Sequence, residues 1–251
     1  MMSDARHGER QRDFYDSREH DHLQARGDDY YATKLAGELA RGVGIGPGHR
    51  VLELGAGFGR FTFPLLDHCG SLVAVDLSPR VLDSLARTRD GRGIPESRCR
   101  VHCGDLDALA GEALGAPFDF VVGFFLLHHL SDSARSIHAL SNLLAPGGGM
   151  AFVEPNRRNP LFLAQVAACR DMSWREEKGM FTLSARGVEK AYREAGLERV
   201  ATRSFGFFPP QVLNNIAAAR RLEGFLERRR ALRWLLPFLL LCAHSPERGP
   251  R

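Results

Sequence analysis

The apolar positions along the chain follow two spacings in alternation. Short runs that are apolar nearly throughout are typical of strands buried on both faces, and longer segments with apolar residues every three or four positions are typical of helices. The predicted strands are 49–57, 71–78, 99–107, 118–130, 149–156, 198–208 and 237–244. The predicted helices are 13–42, 58–69, 79–90, 133–148, 184–197 and 210–233. Strands that alternate with crossover helices indicate an α/β fold with a parallel sheet covered on both faces.

The pattern contains no linker and no repeat, so we expect a single domain over 1–251. Residues 1–45 form a tail and a helical lid, and 46–156 form the core. Residues 157–251 hold a helical insertion directly after the fifth strand, then the substrate-side elements and the last strands. The Pro-Gly-Gly at 146–148 is predicted to end the helix that precedes the fifth strand.

Composition narrows the class of protein only a little. Of the 251 residues, 44% are apolar and 25% are charged, which is ordinary for a soluble protein. The net charge of +4 permits an anionic substrate, a membrane surface or nucleic acid without selecting one. The five scattered cysteines favour free thiols in a reducing compartment and no metal site. The polar N-terminus and the lack of an apolar run near 20 residues indicate a cytoplasmic protein without a signal peptide or transmembrane segment.

The first predicted strand ends in a glycine-rich turn, VLELGAGFG at 51–59. Such turns present free backbone N–H groups to a ligand at the start of a helix. A dinucleotide fingerprint requires glycine three positions after Gly57, where this chain has Arg60. Glu53 stands two residues before Gly55, where it would repel a pyrophosphate and attract an ammonium group. The turn therefore favours a cofactor with an amino acid end, and NAD-dependent oxidoreduction is the disfavoured alternative.

Acids also follow the next two strands, at the edge where open α/β sheets bind ligands. Asp76 could accept hydrogen bonds from both ribose hydroxyls, and Asp105 could accept one from an exocyclic amine. The adjacent Leu77 and Leu106 could hold a flat base between them. The alternative for each acid is a solvated strand end or a helix cap.

Five segments in order over 50–156 resemble the motifs of class I S-adenosylmethionine-dependent methyltransferases: VLELGAGFG, VAVDLSP, CGDLDAL, FDFVVGFFLLHHL and LLAPGGGMAFVEPN. The resemblance implies a Rossmann-like, seven-stranded, mostly parallel sheet with an antiparallel final strand. It implies S-adenosylmethionine as cofactor and S-adenosylhomocysteine as product. The residues that it places around the cofactor are Glu53, Gly55, Ala56, Gly57, Asp76, Leu77, Gly104, Asp105, Leu106 and Phe124. Tyr31, from the N-terminal helices that often close over the cofactor in such folds, is a further candidate, with simple helix packing as its alternative.

The acceptor side is expected after the fourth and fifth strands. His128 and His129 are the catalytic candidates, one as a base and one as a structural residue, although both could instead satisfy loop backbone groups. Glu154, Asn156 and Tyr15 are candidates for shaping the substrate side.

Apolar and aromatic segments after residue 159 suggest a small hydrophobic acceptor, such as a natural product or lipid-like metabolite. Oxygen is the first choice of methyl acceptor, ahead of carbon or nitrogen. A cofactor-binding protein without transferase activity, serving regulation or a rearrangement, is the alternative. Nucleic acid is not expected, because the fourth motif lacks an Asp/Asn-Pro-Pro-aromatic turn.

The predicted helix at 210–233 carries six arginines between residues 220 and 233, among leucines and a phenylalanine. It could rest on an anionic membrane surface or meet an anionic substrate. The plainer interpretation is a surface helix packed on the sheet.

Overall fold

The computed structural model describes residues 25, 27–105, 109, 114–160 and 183–247. The strands in these residues are β1 Arg50–Leu54, β2 Ser71–Asp76, β3 Cys99–Cys103, β4 Phe118–Phe124, β5 Leu144–Pro155, β6 Glu198–Phe205 and β7 Phe238–His244. The α-helices are α1 Tyr30–Val43, α2 Thr62–Leu66, α3 Pro79–Gly91, α4 Ser133–Ser141, α5 Ala185–Glu194, α6 Pro210–Asn215 and α7 Ala217–Glu227. Short 3₁₀ turns occur at Leu127–His129 and Arg230–Leu235. Within these ranges no helix is long and apolar enough to cross a membrane.

The strands form one sheet in the order β3-β2-β1-β4-β5-β7-β6. All pairs among β1 to β5 are parallel, whereas β7 runs antiparallel between β5 and β6. The predicted seven-stranded, mostly parallel sheet with an antiparallel final strand is confirmed. The chain order reverses between β1 and β4, which is the switch point where such sheets bind ligands.

Successive residues of each strand point to opposite faces of the sheet, and both faces are covered. Val51 packs in a cluster with Leu35 and Leu39 of α1, while Leu52 packs in a second cluster with Ile137 of α4. By this alternation Glu53 points to the same face as Val51, where a core side chain would be apolar. Glu53 is therefore a buried acid inside the sheet, 2% exposed.

The predicted long helix at 210–233 is wrong. The segment forms α6, α7 and a 3₁₀ turn, with Ile216 in extended backbone between the two helices. Just before the break, the Asn214 side chain bonds to α1, accepting from the Tyr31 N–H at 2.9 Å. Arg220 then satisfies the carbonyls left at the end of α6, donating to Leu213 and Asn214 at 2.7 and 2.8 Å.

Other boundaries also differ from the prediction; the strand expected at 118–130, for example, ends at Phe124. The helix expected at 58–69 is only α2, because the glycine turn extends as far as Gly59, whose φ is +82°. The Pro-Gly-Gly at 146–148 does not end a helix, since α4 ends at Ser141 and β5 begins at Leu144. At Gly148 a Cβ would lie 2.7 Å from the Asp119 carbonyl oxygen, so glycine allows β5 to approach β4 across an irregular register. The N-terminal part of the predicted lid and most of the predicted insertion lie outside the described residues.

Candidate cofactor and acceptor site

The glycine turn lies at the carboxyl end of β1, at the switch point of the sheet. Gly55 and Gly57 have φ values of +67° and +52°, which glycine adopts without steric cost. A Cβ at Gly55 would lie 2.9 Å from Leu126, whereas a Cβ at Gly57 would meet nothing within 4 Å. Ala56 between them is buried and donates its N–H to the Val75 carbonyl at 3.0 Å. The turn is thus fixed to β2 on one side and open on the other.

Asp76 lies directly against this turn. Its Oδ2 accepts from the Gly57 N–H at 2.8 Å, and its Oδ1 accepts from the Ser78 N–H at 3.0 Å. The Ser78 side chain in turn caps α3 by accepting from the Val81 N–H at 3.3 Å. These bonds hold a half-buried carboxylate at the edge of the open space that Gly57 faces.

The segment after β3 approaches the same edge. The Gly104 N–H donates to the Asp76 carbonyl at 3.1 Å, and Leu77 is half-buried beside it. Asp105 follows with an exposed side chain. The structure thus brings Asp76, Leu77, Gly104 and Asp105 together; Leu106 and Tyr15 lie outside the described residues.

The carboxyl group of Glu53 is incompletely hydrogen-bonded among the described residues. Its Oε2 atom and the Thr62 hydroxyl are buried, and neither has a hydrogen-bond partner among the residues that the structure describes. Burial raises the pKa of the Glu53 carboxyl to about 8; the neighbouring Thr62 hydroxyl lowers this pKa in part, and the charge of Asp76 adds to the increase. A buried acceptor without a partner costs about 1–3 kcal/mol, so this position suits a ligand that brings a hydrogen-bond donor or a positive charge.

A second buried acid, Glu154 in β5, organises the turn after β4. Its Oε1 accepts from the backbone N–H groups of Leu126 and Leu127 at 2.9 and 2.7 Å. Its Oε2 lies 2.6 Å from Nδ1 of His128, whose side chain is 2% exposed. All three contacts are within the chain, and they fix both the 3₁₀ turn and the orientation of the His128 ring.

His129 follows in a different environment. It is half-buried, and its ring centroid lies 4.0 Å from that of His128. Both histidines belong to the 3₁₀ turn, and His129 is the more exposed of the two.

Asn156 lies at the end of β5 and is buried. Its Nδ2 donates to the Leu236 carbonyl at 2.8 Å, and its Oδ1 accepts from the Arg158 N–H at 3.1 Å. Asn159 similarly donates to the Leu235 carbonyl at 2.6 Å. The two asparagines attach the segment before β7 to the acceptor-side edge of the sheet.

An aromatic cluster that the sequence analysis missed lies between the glycine turn and the end of β4. Phe61 stacks on Phe124 with ring centroids 4.5 Å apart, and Phe125 contacts both Phe61 and Phe238. Phe125 has φ of +55°, a strained conformation for a bulky residue. The backbone at 124–125 therefore turns sharply at the carboxyl edge, and Phe61 and Phe125 stay half-buried there. The doubled phenylalanine was the only sequence signal for this cluster.

Tyr31 lies inside the fold rather than at its surface. The side chain is 5% exposed and makes an edge contact with Phe238 at 5.9 Å. The guanidinium of Arg60 lies 5.3 Å from the Tyr31 ring centroid, and its Nε donates to Asp29 at 2.7 Å. Asp29 caps α1 by accepting from the Ala32 N–H at 3.0 Å. This contact set attaches α1 to the residue that directly follows the glycine turn.

Among the described residues no group of three or more His, Cys, Asp or Glu side chains is placed to hold a metal ion.

Comparison with known proteins identifies relatives of the chain. A family model described as a methyltransferase domain matches residues 52–150. Nodulation protein S of Rhizobium tropici is 33% identical over 129 residues, which are 50% of this chain and 51% of that protein. A ubiquinone biosynthesis O-methyltransferase of Paracidovorax citrulli is 26% identical over 196 residues, 72% of this chain and 81% of that protein. The chain spans only 51–59% of the length of the first curated relatives that it matches.

Solved structures share the fold. The [4+2]-cyclase SpnF has a TM-score of 0.61 at 20% identity, over 85% of this chain and 80% of its own. The N-methyltransferase NodS from Bradyrhizobium japonicum, in complex with S-adenosyl-L-homocysteine, has a TM-score of 0.57 at 20% identity. The match covers 90% of this chain and 91% of the NodS chain. These findings identify residues 52–150 as a methyltransferase domain, and its sheet order and glycine turn are like those of the class I S-adenosylmethionine-dependent methyltransferases.

Proposed function

We propose that the chain binds S-adenosylmethionine at the glycine turn and transfers its methyl group to an oxygen atom of a small hydrophobic molecule. The observation that carries the proposal is the buried Oε2 atom of Glu53, which has no hydrogen-bond partner among the described residues, beside a turn whose Gly57 faces open space. The cofactor supplies an electrophilic methyl group on a sulfonium centre. The protein has to hold the acceptor oxygen in line with that centre and exclude water.

Each end of the cofactor has candidate partners at this edge. Glu53 would accept from the amino group, and the backbone of 55–57 would border the methionine portion. Asp76 would accept from the ribose hydroxyls, and Asp105 would accept from the adenine amine. Leu77, Gly104 and Leu106 would border the adenine ring, and Phe124 would border the methionine end. We assign Tyr31 the role of packing α1 over this edge.

We infer that His129 is the general base for the acceptor hydroxyl. His128 is buried and held through Nδ1 by Glu154, so it serves better as the residue that positions the turn and its neighbour. The His129 ring contacts the His128 ring at a tilt of 41° and is only half-buried, which allows contact with an acceptor. Glu154 and Asn156 would shape the acceptor side indirectly, by fixing this turn and the segment before β7.

The half-buried rings of Phe61 and Phe125 support a hydrophobic acceptor. Oxygen as the acceptor atom is supported by the ubiquinone biosynthesis O-methyltransferase, because this chain covers 81% of that relative. NodS is named as an N-methyltransferase, so amines of the same shape as the hydroxyl acceptors are tested as alternative acceptors.

The test combines binding and turnover. S-adenosylhomocysteine and NAD are titrated by calorimetry, and transfer of a labelled methyl group is measured with hydrophobic phenols and with amines of the same shape. We expect S-adenosylhomocysteine to bind, NAD not to bind, and phenols to be methylated. The oxygen assignment is wrong if only the amines accept the label.

The two histidines provide an internal comparison. His129→Ala should lower kcat by about 10²–10⁴-fold, as for loss of a general base, with little change in affinity for S-adenosylhomocysteine. It should also remove the acidic limb of the pH–rate profile. His128→Asn, which keeps a polar side chain, should retain that limb. Reversal of the two results would assign the base to His128.

A second candidate is a cofactor-binding protein that catalyses a rearrangement, because the fold also resembles that of the [4+2]-cyclase SpnF. Tight binding of S-adenosylhomocysteine with no transfer to any phenol or amine would favour it.

A further inference from the structure

Helix α7 is held by its charged residues. Glu223 is 1% exposed; one of its carboxylate oxygens lies 3.0 Å from Lys34 Nζ and accepts from the Phe207 N–H at 2.7 Å. Glu227 lies 2.6 Å from the same ammonium group and accepts from the Gly206 N–H at 2.7 Å. The carboxylates of α7 thus face the protein and attach the helix to α1 and to the end of β6.

Four large apolar side chains of the same segment are exposed, whereas Leu226, Leu232 and Leu235 are half-buried. Ile216, Leu222 and Phe225 are 47–49% exposed, and Trp234 in the following 3₁₀ turn is 57% exposed. Leu222 and Phe225 are three residues apart, so they share one side of the helix. A surface helix of a globular protein normally places apolar residues inward and charges outward, whereas α7 buries Glu223 and exposes Leu222 and Phe225.

The same segment is rich in arginine. Arg221, Arg228, Arg230 and Arg233 have no acidic partner among the residues that the structure describes, and Arg229 lies 4.1 Å over the Phe225 ring centroid. In contrast, Glu38 is already paired with Arg41 and Arg203. The surface of 216–234 therefore carries uncompensated positive charge directly beside exposed hydrocarbon.

The segment also has a defined position relative to the site. It leaves the sheet after Phe205 of β6 and returns at Phe238 of β7, and these two residues pair with each other. Pro155 at the end of β5 pairs with the same Phe238. The segment is therefore anchored at the carboxyl edge of the sheet, the edge that carries the glycine turn.

We propose that the surface of 216–234 docks on an anionic phospholipid bilayer. Arginine side chains pair with lipid phosphates, while Trp234, Phe225 and Leu222 enter the interfacial region, where aromatic and aliphatic side chains are stabilised. Nucleic acid would pair with the arginines through its phosphates but would not cover the apolar side chains of Leu222 and Ile216. Free inorganic phosphate would not cover them either. Docking would bring the site edge next to the bilayer.

This inference does not depend on methyl transfer, so its test needs no turnover. Binding to vesicles of phosphatidylcholine alone, or with about one third phosphatidylglycerol, is measured by flotation without cofactor or acceptor. We expect binding to the anionic vesicles only, decreasing as salt is raised. The Trp234 emission, taken as the difference between wild type and Trp234→Phe, should shift to shorter wavelength on binding.

Two double variants test the two components. Arg228→Glu/Arg233→Glu and Phe225→Ser/Trp234→Ser should each weaken vesicle binding by about tenfold or more, since charge and burial both contribute. Arg87→Glu/Arg186→Glu, exposed on α3 and α5, makes the same change in net charge and should retain binding. Circular dichroism checks that each variant is folded.

Three outcomes would overturn the proposal. One is the absence of vesicle binding by the wild-type chain. Another is equal weakening by the control pair, which would indicate net charge alone. The third is preferential binding to double-stranded DNA or RNA in competition with the vesicles.

Discussion

At the residue scale, Glu53 connects the sheet to the proposed chemistry. An acid in a strand buried on both faces is unfavourable unless it is neutral or meets a positive charge. Its pKa of about 8 means that the carboxyl carries a proton at neutral pH in the protein alone. A cofactor amine would bind the charged form, so ligand binding and proton release are coupled at this residue.

We expect binding of S-adenosylhomocysteine to release about one proton per site at about pH 6.5, between the ordinary carboxyl pKa and the raised one. Calorimetry in buffers of different ionisation enthalpy measures this number. Glu53→Gln, which keeps the shape without a titrating proton, should release none. An equal release from wild type and Glu53→Gln would exclude Glu53 as the source.

The same residue affects stability without ligand. Because its pKa is higher in the folded chain than in the unfolded chain, the folded state binds more protons between about pH 4.5 and about pH 8. This contribution to stability is fully present below that range and is lost as pH rises through it. Asp29 has the opposite sign: although burial raises its pKa, the Arg60 hydrogen bond and charge lower it overall, so its contribution is lost on acidification.

At the element scale, one buried contact joins three parts of the chain. Asp29 caps α1, pairs with Arg60 after the glycine turn, and accepts from Asn214 of α6 at 3.0 Å. The position at which a dinucleotide-binding turn would have its third glycine is thus used here to hold the N-terminal helix. Because Arg60 replaces that glycine and is tied to Asp29, the same residue also disfavours the alternative of NAD binding.

Replacing Arg60 should therefore destabilise the fold far more than replacing Arg41, an exposed arginine of α1. Arg60→Ala leaves a buried carboxylate without its cation and should cost about 2–3 kcal/mol of unfolding free energy. Arg41→Ala, whose side chain is 64% exposed, should cost about 1 kcal/mol or less. Urea denaturation measures both, and equal losses would show that the Arg60–Asp29 pair is not a stabilising contact.

These elements also show what the sequence could predict. The order of strands and the turn after β1 follow from apolar runs and glycine spacing, which are local signals. The Asp29–Arg60–Asn214 contact joins residues up to 185 positions apart, and no local pattern indicates it. The break at Ile216 was missed as well, since no breaking residue marks it in the sequence. At the site, Asp76 and Asp105 lie at one edge of the sheet, and their roles toward the cofactor stay predictions. The hydrogen bonds of Glu154 to the turn after β4 join residues 26–28 positions apart, which no local pattern indicates.

At the scale of the whole molecule, burial separates the described cysteines into two groups. Cys69, Cys99 and Cys242 are at most 5% exposed, and burial raises the pKa of each thiol to about 12. Cys103 is exposed at the end of β3, directly before Gly104. Reactivity toward a thiol reagent thus reports both the integrity of the fold and the state of the cofactor edge.

In a Cys169→Ala background, since residue 169 lies outside the described ranges, we expect one fast-reacting thiol in the native protein and four after denaturation. Cys103→Ser should remove the fast phase. Bound S-adenosylhomocysteine should slow it, because Cys103 adjoins the proposed adenine position. Fast reaction of several thiols in the native protein would contradict the packing of β2, β3 and β7.

The central position of β7 has a consequence for how the chain is made. Strand β6 pairs with β7 alone, and β5 reaches β6 only through β7. A ribosome therefore releases β6 before its hydrogen-bonding partner exists, and the nascent sheet ends at β5, whose edge opposite β4 has no partner strand until residue 244 has emerged. During that interval the chain depends on the five strands β3-β2-β1-β4-β5 alone, and a chaperone or a stalled ribosome would encounter this partial sheet rather than the complete fold.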